Sequence, residues 1–372
     1  AQSNNFTSVG TINTHTIPAG TGTIALTSDI TASPFAVCNT NNIVSIGAAG
    51  VCSGTGGTGT RNFFTGLNAG KCNTSGSYNT FIGENAGCYN TTGSFNFYAG
   101  KGAGVKNKTG RYGTIIGRYA GQHIDSACGV AFIGGMAGQE NTTGSHNTFI
   151  GLKNGQYTTT GSCNAFIGFY SGQRNTIGCH NTFVGNQAGR CNTTGNFNFF
   201  TGRYSGKANT TASDNVFIGD SAGGCNTTGC YNIYVGKNAG CCNILGKNNV
   251  SIGRHSGMLG CTGSYNVNVG KDTGRFTTGD KNVFLGCYAG RSNTSGSTNV
   301  FLGAEAGKCN TTGANNIFLG QSAGNDLTIT DSCQIVLKAG CNELKVSTAG
   351  SLTLNGSAVG GASPFAACNT NN

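Results

Sequence analysis

The sequence has almost no proline, little charge and no tryptophan. Only 3 of its 372 residues are Pro, and charged residues make up 9% of the chain, compared with about 25% in an average globular domain. Long amphipathic helices need charged faces and few glycines, so this scarcity of charge and the 65 Gly residues exclude a mainly helical protein. Collagen is excluded as well, because Gly does not recur at every third position.

Long apolar runs are also missing. No stretch approaches the roughly 18 apolar residues of a transmembrane helix, so we expect no membrane span. The first residue is Ala1 rather than Met, which fits a mature product released from a signal peptide or a piece of a longer chain. The net charge is +10, but Lys and Arg are scattered singly, without the runs typical of nucleic-acid binding. We therefore expect a mildly basic, solvated surface and no nucleic-acid partner.

The dominant feature of the sequence is a 17-residue tandem repeat with the consensus Asn-x-Phe-Ile-Gly-x-x-Ala-Gly-x-x-Asn-Thr-Thr-Gly-Ser-x. Residues 79–95 and 181–197 show it nearly complete. The glycine that closes the first five residues, here called the anchor glycine, keeps a strict 17-residue spacing from Gly66 to Gly270. One 16-residue step then leads to Gly286, and Gly303 and Gly320 resume the period. So many copies in register predict a repeat architecture in which each unit packs on its neighbours.

One repeat has the composition of one coil of a narrow solenoid. Asn-x-Phe-Ile predicts a short strand, the Ala-Gly pair a tight corner, and Asn-Thr-Thr-Gly a second turn beside a second short strand. The sequence therefore predicts an all-β fold, a parallel β-solenoid of 17-residue coils that rise about 4.8 Å each, with β-rich caps.

Composition divides the chain into four segments. Residues 1–42 predict an N-terminal connector or cap, 43–324 the solenoid, and 325–362 a C-terminal β cap with a turn at Asn355-Gly356. Residues 363–372 repeat residues 33–42 with a single change. This direct repeat predicts the start of a next module or a connector between subunits.

The strand of each coil is apolar on both faces. An aromatic column runs through its middle, between two columns rich in Ile, Val, Leu and Thr. Successive side chains of a strand point to opposite sides, so one set fills the coil and the other forms an exposed apolar stripe that a lone rod would not tolerate. We therefore expect a homo-oligomer, most economically a trimer around a threefold axis, with the option of head-to-tail filaments. The candidate interface residues are the aromatic column, Phe81, Phe149, Phe166, Phe183, Phe217, Phe284, Phe301 and Phe318, or else its aliphatic neighbours.

Asparagine begins nearly every strand, although it is disfavoured in strands. When stacked at about 4.8 Å, each side-chain amide can donate a hydrogen bond to the next, as in cross-β stacks. The predicted ladder includes Asn79, Asn147, Asn164, Asn181, Asn215 and Asn232.

The run Asn-x-Φ-Ile-Gly-x-x-Ala-Gly, where Φ is apolar, resembles the head repeats of YadA-like trimeric autotransporter adhesins and the repeats of phage and viral fibre proteins. The resemblance covers about residues 43–324. It implies a trimeric left-handed β-roll displayed outside a cell or on a virion. The adhesin heads have a shorter repeat, and we expect neither a heptad stalk nor anchoring barrel strands in the residues that follow the solenoid here.

Eighteen cysteines favour an oxidising compartment. Equivalent positions of adjacent coils lie within disulfide range, so the candidate pairs are Cys72 with Cys88, Cys163 with Cys179, and Cys225 with Cys242; free thiols are the alternative. We expect no metal site, because Cys241-Cys242 and the five His residues lack ligand spacing.

We expect no enzymatic activity and no cofactor. The 12 acidic residues do not recur on one face, and Asp214 and Asp220 are interpreted as turn residues. The Asn-x-Thr/Ser sequons of the repeat turn, such as Asn73, Asn90 and Asn192, predict surface sites able to carry glycan. Three functions stay open: a structural subunit of an extracellular or virion fibre, an adhesin or fibre head that recognises a surface glycan or protein, and an ice-binding solenoid. Interrupted Thr pairs, as at Ile244-Leu245, argue against the third.

Overall fold

A computed structural model describes residues 35–38, 43–46, 58–326 and 330–358 of the chain. All the regular elements in these ranges are β-strands, and they join into one sheet of 22 strands. Within the same ranges, no helix has the length and apolarity needed to cross a membrane. The all-β prediction is therefore confirmed.

The solenoid contains one three-residue strand per coil. The sixteen strands from β3 to β18 are Phe63–Thr65, Thr80–Ile82, Phe97–Ala99, Thr114–Ile116, Ala131–Ile133, Thr148–Ile150, Ala165–Ile167, Thr182–Val184, Phe199–Thr201, Val216–Ile218, Ile233–Val235, Val250–Ile252, Val267–Val269, Val283–Leu285, Val300–Leu302 and Ile317–Leu319. Each strand pairs in parallel with the next at the same repeat position, as Phe149 does with Phe166. The parallel β-solenoid predicted from the repeat is thus confirmed.

The second strand that we expected in each coil is not formed. The segment around Asn-Thr-Thr-Gly consists of bends, although its backbone still bonds to the next coil, as in the hydrogen bond from the Thr193 amide to the Thr210 carbonyl, 2.8 Å. The 16-residue coil lacks one residue of this turn. Its strand therefore stays in register, and Val267 pairs with Val283.

Antiparallel strands flank the solenoid at both ends. Strands β1 (Phe35–Cys38) and β2 (Ile43–Ile46) are antiparallel, and β2 pairs in parallel with β3. At the other end, β19 (Ile335–Ala339) lies parallel to β18 and leads into the antiparallel strands β20 (Asn342–Val346), β21 (Leu352–Leu354) and β22 (Ser357–Ala358).

These flanking strands cover the sheet edges that the end coils would otherwise expose. Asn355 and Gly356, both at positive φ, form the predicted turn between β21 and β22. The rest of the connector and the direct repeat at residues 363–372 lie outside the described residues.

The core is a stack of aromatic rings inside the coils. The middle side chain of each strand points inward, and successive rings stack with centroids 4.6–5.0 Å apart and interplanar angles of 4–14°. Ile115, Ser251 and Asn268 replace the aromatic ring in three coils. The ring spacing is what a rise of about 4.8 Å per coil requires.

The prediction that the aromatic column forms a subunit interface is therefore wrong. Phe81, Phe149, Phe166, Phe183, Phe217, Phe284 and Phe301 are 0% exposed, and Phe318 is 1% exposed, in the single chain. They fill the coil that they belong to and cannot contact a partner. By alternation, the first and third residues of each strand point outward.

Glycine is required where coils and rings approach most closely. A Cβ on the anchor glycine Gly151 would lie 1.8 Å from the carbonyl oxygen of Gly168, the next anchor glycine. A Cβ on Gly155 would lie 2.5 Å from the ring of Phe149. The spacing of Phe and Gly in each repeat thus leaves room for the ring inside the coil.

Candidate interaction surfaces

The outer side of the solenoid strands is an uncharged and mainly apolar surface, here called the apolar face. It consists of the first and third residues of β3 to β18, and neither column contains a charged residue. Ile150, Ile167 and Ile218 are 37–39% exposed, and Phe199 and Ile233 are each 41% exposed. Between Val216 and Leu319 both columns are aliphatic throughout. The aliphatic neighbours of the aromatic column, rather than the aromatic column itself, are therefore available to another molecule.

The ladder asparagines lie buried at the start of each strand. Asn79, Asn147, Asn181, Asn215 and Asn232 are 0% exposed, and Asn164 is 1% exposed. The side-chain oxygen of each accepts a hydrogen bond from the backbone amide of the same position in the next coil, as between Asn181 and the Asn198 amide, 3.0 Å. Direct amide-to-amide contact is longer, 3.2 Å from Asn164 to Asn147. The ladder therefore satisfies mainly a backbone donor.

A second asparagine column, the turn ladder, was missed in the sequence. Its amides bond directly from coil to coil: Asn192 donates to Asn175 and Asn209 donates to Asn192, both at 2.7 Å. These side chains are buried, so the sequons at Asn73, Asn90, Asn141, Asn192, Asn226 and Asn310, all 0–4% exposed, are not the surface glycan sites that we expected.

Basic residues gather on the corner that follows each strand. The corner displays the four variable positions of Gly-x-x-Ala-Gly-x-x, and its outward side chains are here called the basic face. None of its Lys or Arg residues is buried. Fifteen of the 22 basic residues of the chain belong to it: Lys71, Lys101, Lys106, Arg118, Lys153, Arg174, Arg190, Arg203, Lys207, Lys237, Arg254, Lys271, Arg275, Arg291 and Lys308.

Six of the 12 acidic residues of the chain also lie on the basic face: Glu84, Glu140, Asp220, Asp272, Glu305 and Asp326. The difference of fifteen and six leaves this face with nine of the ten net positive charges of the chain. The expectation that the basic residues are scattered singly is thus corrected, because coiling brings residues that are distant in the sequence onto one face.

Aromatic rings lie among these cations. Lys271, Arg291 and Lys308 lie 5.3–5.7 Å from the ring centroid of Tyr288, and Arg203 and Lys207 lie 5.2 and 4.8 Å from that of Tyr204. Cation–π contacts of this kind hold the positive charges at the surface.

Several acidic and histidine side chains of the described residues pair with a side chain in a neighbouring coil. Asp220, on the basic face, pairs with Arg203 at 2.8 Å, and this hydrogen bond is the main cause that lowers the pKa of Asp220. His123 pairs with Glu140 at 3.1 Å and His255 with Asp272 at 3.2 Å. These pairs each join neighbouring coils along one edge. The Arg203–Asp220 contact is typical of a structural ion pair.

The fifteen cysteines whose side chains the structure describes are free thiols, so the three expected disulfides are not formed. The positions of the cysteines within the repeat explain why two of these disulfides do not form. Cys72 and Cys88 differ by one position in the repeat, and Cys179 lies over Ser162, whose amide is 3.3 Å from the Cys179 sulfur, rather than over Cys163. Cys225 and Cys242 share a phase, and their sulfur atoms lie close to that of Cys241. The coil geometry thus brings Cys225 to Cys241 and Cys242, although the sequence spacing of Cys241-Cys242 predicted no ligand group.

Comparison of the chain with family models, with curated proteins and with solved structures found no match.

Proposed function

We propose that this protein is a structural subunit of an extracellular or virion fibre, and that a second copy of the same chain covers its apolar face. The observation that supports this proposal is the length of that face. Sixteen coils at about 4.8 Å and a three-residue strand of about 10 Å give it an area of about 770 Å². The largest apolar patch of a typical monomer is about 300–600 Å², whereas a standard interface buries about 800 Å² per partner.

The periodicity of the face favours self-association over a different partner. The outward side chains recur once per coil over all sixteen solenoid strands. Only a partner with the same rise keeps its side chains in register with these rows over the whole length, and a second copy has that rise. A pair of chains covers one flat face completely, while three chains around an axis each cover part of two neighbours; the trimer expected from the sequence stays a prediction.

The test is the oligomeric state of the whole chain by sedimentation velocity. Ile218→Lys with Ile252→Lys places two charges on the apolar face, and we expect this variant to sediment as a folded monomer because each lysine opposes desolvation of the interface. Ile177→Lys with Ile244→Lys is the matched control, since these residues are 52% and 40% exposed but lie in the repeat turn. A wild-type chain that is monomeric at micromolar concentration contradicts the proposal.

A second function, adhesion to an anionic surface glycan, is favoured by the basic face. Its cations recur along the rod at the coil spacing and are accompanied by aromatic rings, which suit a polymer with one negative charge per sugar. Such binding weakens steeply as salt rises, because the cations release the counterions of the polymer.

Dextran sulfate and uncharged dextran are suitable probes for this second function. We expect retention on the sulfated polymer only, and its loss when Arg190, Arg203 and Lys207 are replaced by Gln. The control replaces Lys108, Lys247 and Lys281, which lie outside the basic face. Equal loss in both variants shows a general charge effect and contradicts a dedicated face.

A further inference from the structure

Three thiols meet on the basic face in two adjacent coils. The Sγ atoms of Cys225, Cys241 and Cys242 all lie within 4.8 Å of one another. In the described part of the chain, these three cysteines form a group whose ligand atoms are close enough together to hold one metal ion. Cys225 is exposed, while Cys241 and Cys242 are partly buried, so the group opens to solvent on one side.

The repeat itself brings these side chains together. Cys225 and Cys242 occupy the same repeat position, one coil apart, and the Cys225 amide donates to the Cys241 carbonyl at 2.8 Å. The repeat position of Cys241 is occupied by Gly224 in the preceding coil and by Lys207 one coil earlier still. A Cβ at Gly224 would lie 3.7 Å from the Cys241 Sγ. The absence of a side chain at Gly224 therefore leaves space beside the Cys241 sulfur.

The spacing of the sulfur atoms fits a three-thiolate metal site. A metal–sulfur bond of about 2.3 Å places the sulfur atoms about 3.8 Å apart around a tetrahedral ion and about 4.0 Å apart around a trigonal one. Sulfur atoms that already lie within 4.8 Å of one another need to shift by less than about 1 Å to reach this geometry, which rotation of the side chains supplies. The open side leaves a position for a water molecule as a fourth ligand.

The chemistry of the donors decides which metal suits the site. Thiolates are soft ligands that select Cu(I), Zn(II) and similar ions, whereas Mg²⁺ and Ca²⁺ prefer oxygen. We propose that Cys225, Cys241 and Cys242 bind one soft, thiophilic metal ion as thiolates. The proposal is independent of the fibre function, since it rests on two coils and not on the apolar face.

Proton release gives the site a pH dependence with a definite sign. Thiols bind metal ions as thiolates. An ordinary thiol is mostly protonated at neutral pH, so a metal ion that binds three cysteines must displace protons. Affinity consequently rises with pH, by about 10-fold per unit for each proton displaced.

The test is a Cd(II) titration of the whole, reduced protein, followed by thiolate-to-cadmium charge-transfer absorption in the presence of a competing chelator. We expect one tight site per chain, with affinity that falls at least tenfold per unit when the pH is lowered below neutral. Cys241→Ser is expected to abolish the tight site. Cys225→Ser gives a second variant that keeps the fold, because this side chain is exposed and its loss leaves no core cavity.

Cys163→Ser removes an exposed thiol elsewhere and serves as the control that retains the site. Tight binding that persists unchanged in both Cys225→Ser and Cys241→Ser overturns the assignment. So does a thiol count showing that two of the three cysteines form a disulfide that resists the reductant, or a cadmium affinity that is the same at all pH values.

Discussion

The turn ladder allows the contribution of stacked asparagines to be measured with a control inside the same chain. Asn192 and Asn141 occupy the same repeat position, and both are 0% exposed. Asn192 donates to Asn175 at 2.7 Å and to the Gly195 carbonyl at 3.0 Å, and it accepts from Asn209 at 2.7 Å. Replacing Asn192 by Ala therefore removes three hydrogen bonds at about 1 kcal/mol each, or about 3 kcal/mol.

Asn141 lacks these partners because the ladder is interrupted on both sides of it. The coil before it has Ile124 at this position and the coil after it has Thr158, and neither polar atom of the Asn141 side chain has a hydrogen-bond partner. Asn141→Ala creates a cavity of the same kind but breaks no hydrogen bond. The difference between the two variants thus isolates the ladder from the loss of packing.

Hydrogen exchange read by mass spectrometry is the appropriate assay, because coils of a solenoid can open locally. We expect Asn192→Ala to raise the opening constant around residues 181–214 by about a hundredfold more than Asn141→Ala raises it around 130–163, since each 1.4 kcal/mol is a factor of about ten. Equal increases in the two variants would refute the reasoning, and the aromatic stack would then be the main source of stability.

Four further outcomes are expected. Gly151→Ala should prevent the adjacent coils from closing, because its Cβ would lie 1.8 Å from the next anchor carbonyl, and circular dichroism should show a large loss of β structure. Thr298→Asn should raise the stability to urea by about 1 kcal/mol, because a β-branched residue is held at a φ of 59° there. Amide exchange should be faster around residues 113–130, where the strand ladder lacks Asn, than around 181–236; equal protection would leave that ladder without an energetic role. Stability should fall as the pH rises from 9 toward 12, since the unfolded Cys241 thiol ionises before the folded one, whose pKa is raised to about 12; a Cys241→Ser variant with an unchanged pH profile would contradict this.

The position of each residue within the 17-residue repeat would have indicated both the basic face and the cysteine group. Lys and Arg appear scattered because the basic face uses four of the seventeen positions in each repeat, and consecutive members are often many residues apart. Similarly, Cys225 and Cys242 are 17 positions apart, so they share a column, whereas the usual short metal-ligand spacings do not include this distance. Assigning each residue to its repeat position would have grouped both sets.

The sequence by itself determined the period, the position of each strand and the parallel register, because a repeat of fixed length places identical side chains one coil apart and every stacked pair favours the same alignment. It did not determine which side of the strand faces inward. Alternation separates the aromatic column from its aliphatic neighbours, but both are apolar, so hydrophobicity alone does not choose between them. Only the tertiary structure decided this, because the space above Gly155 admits the flat ring of Phe149 and leaves the branched side chains of Thr148 and Ile150 outside.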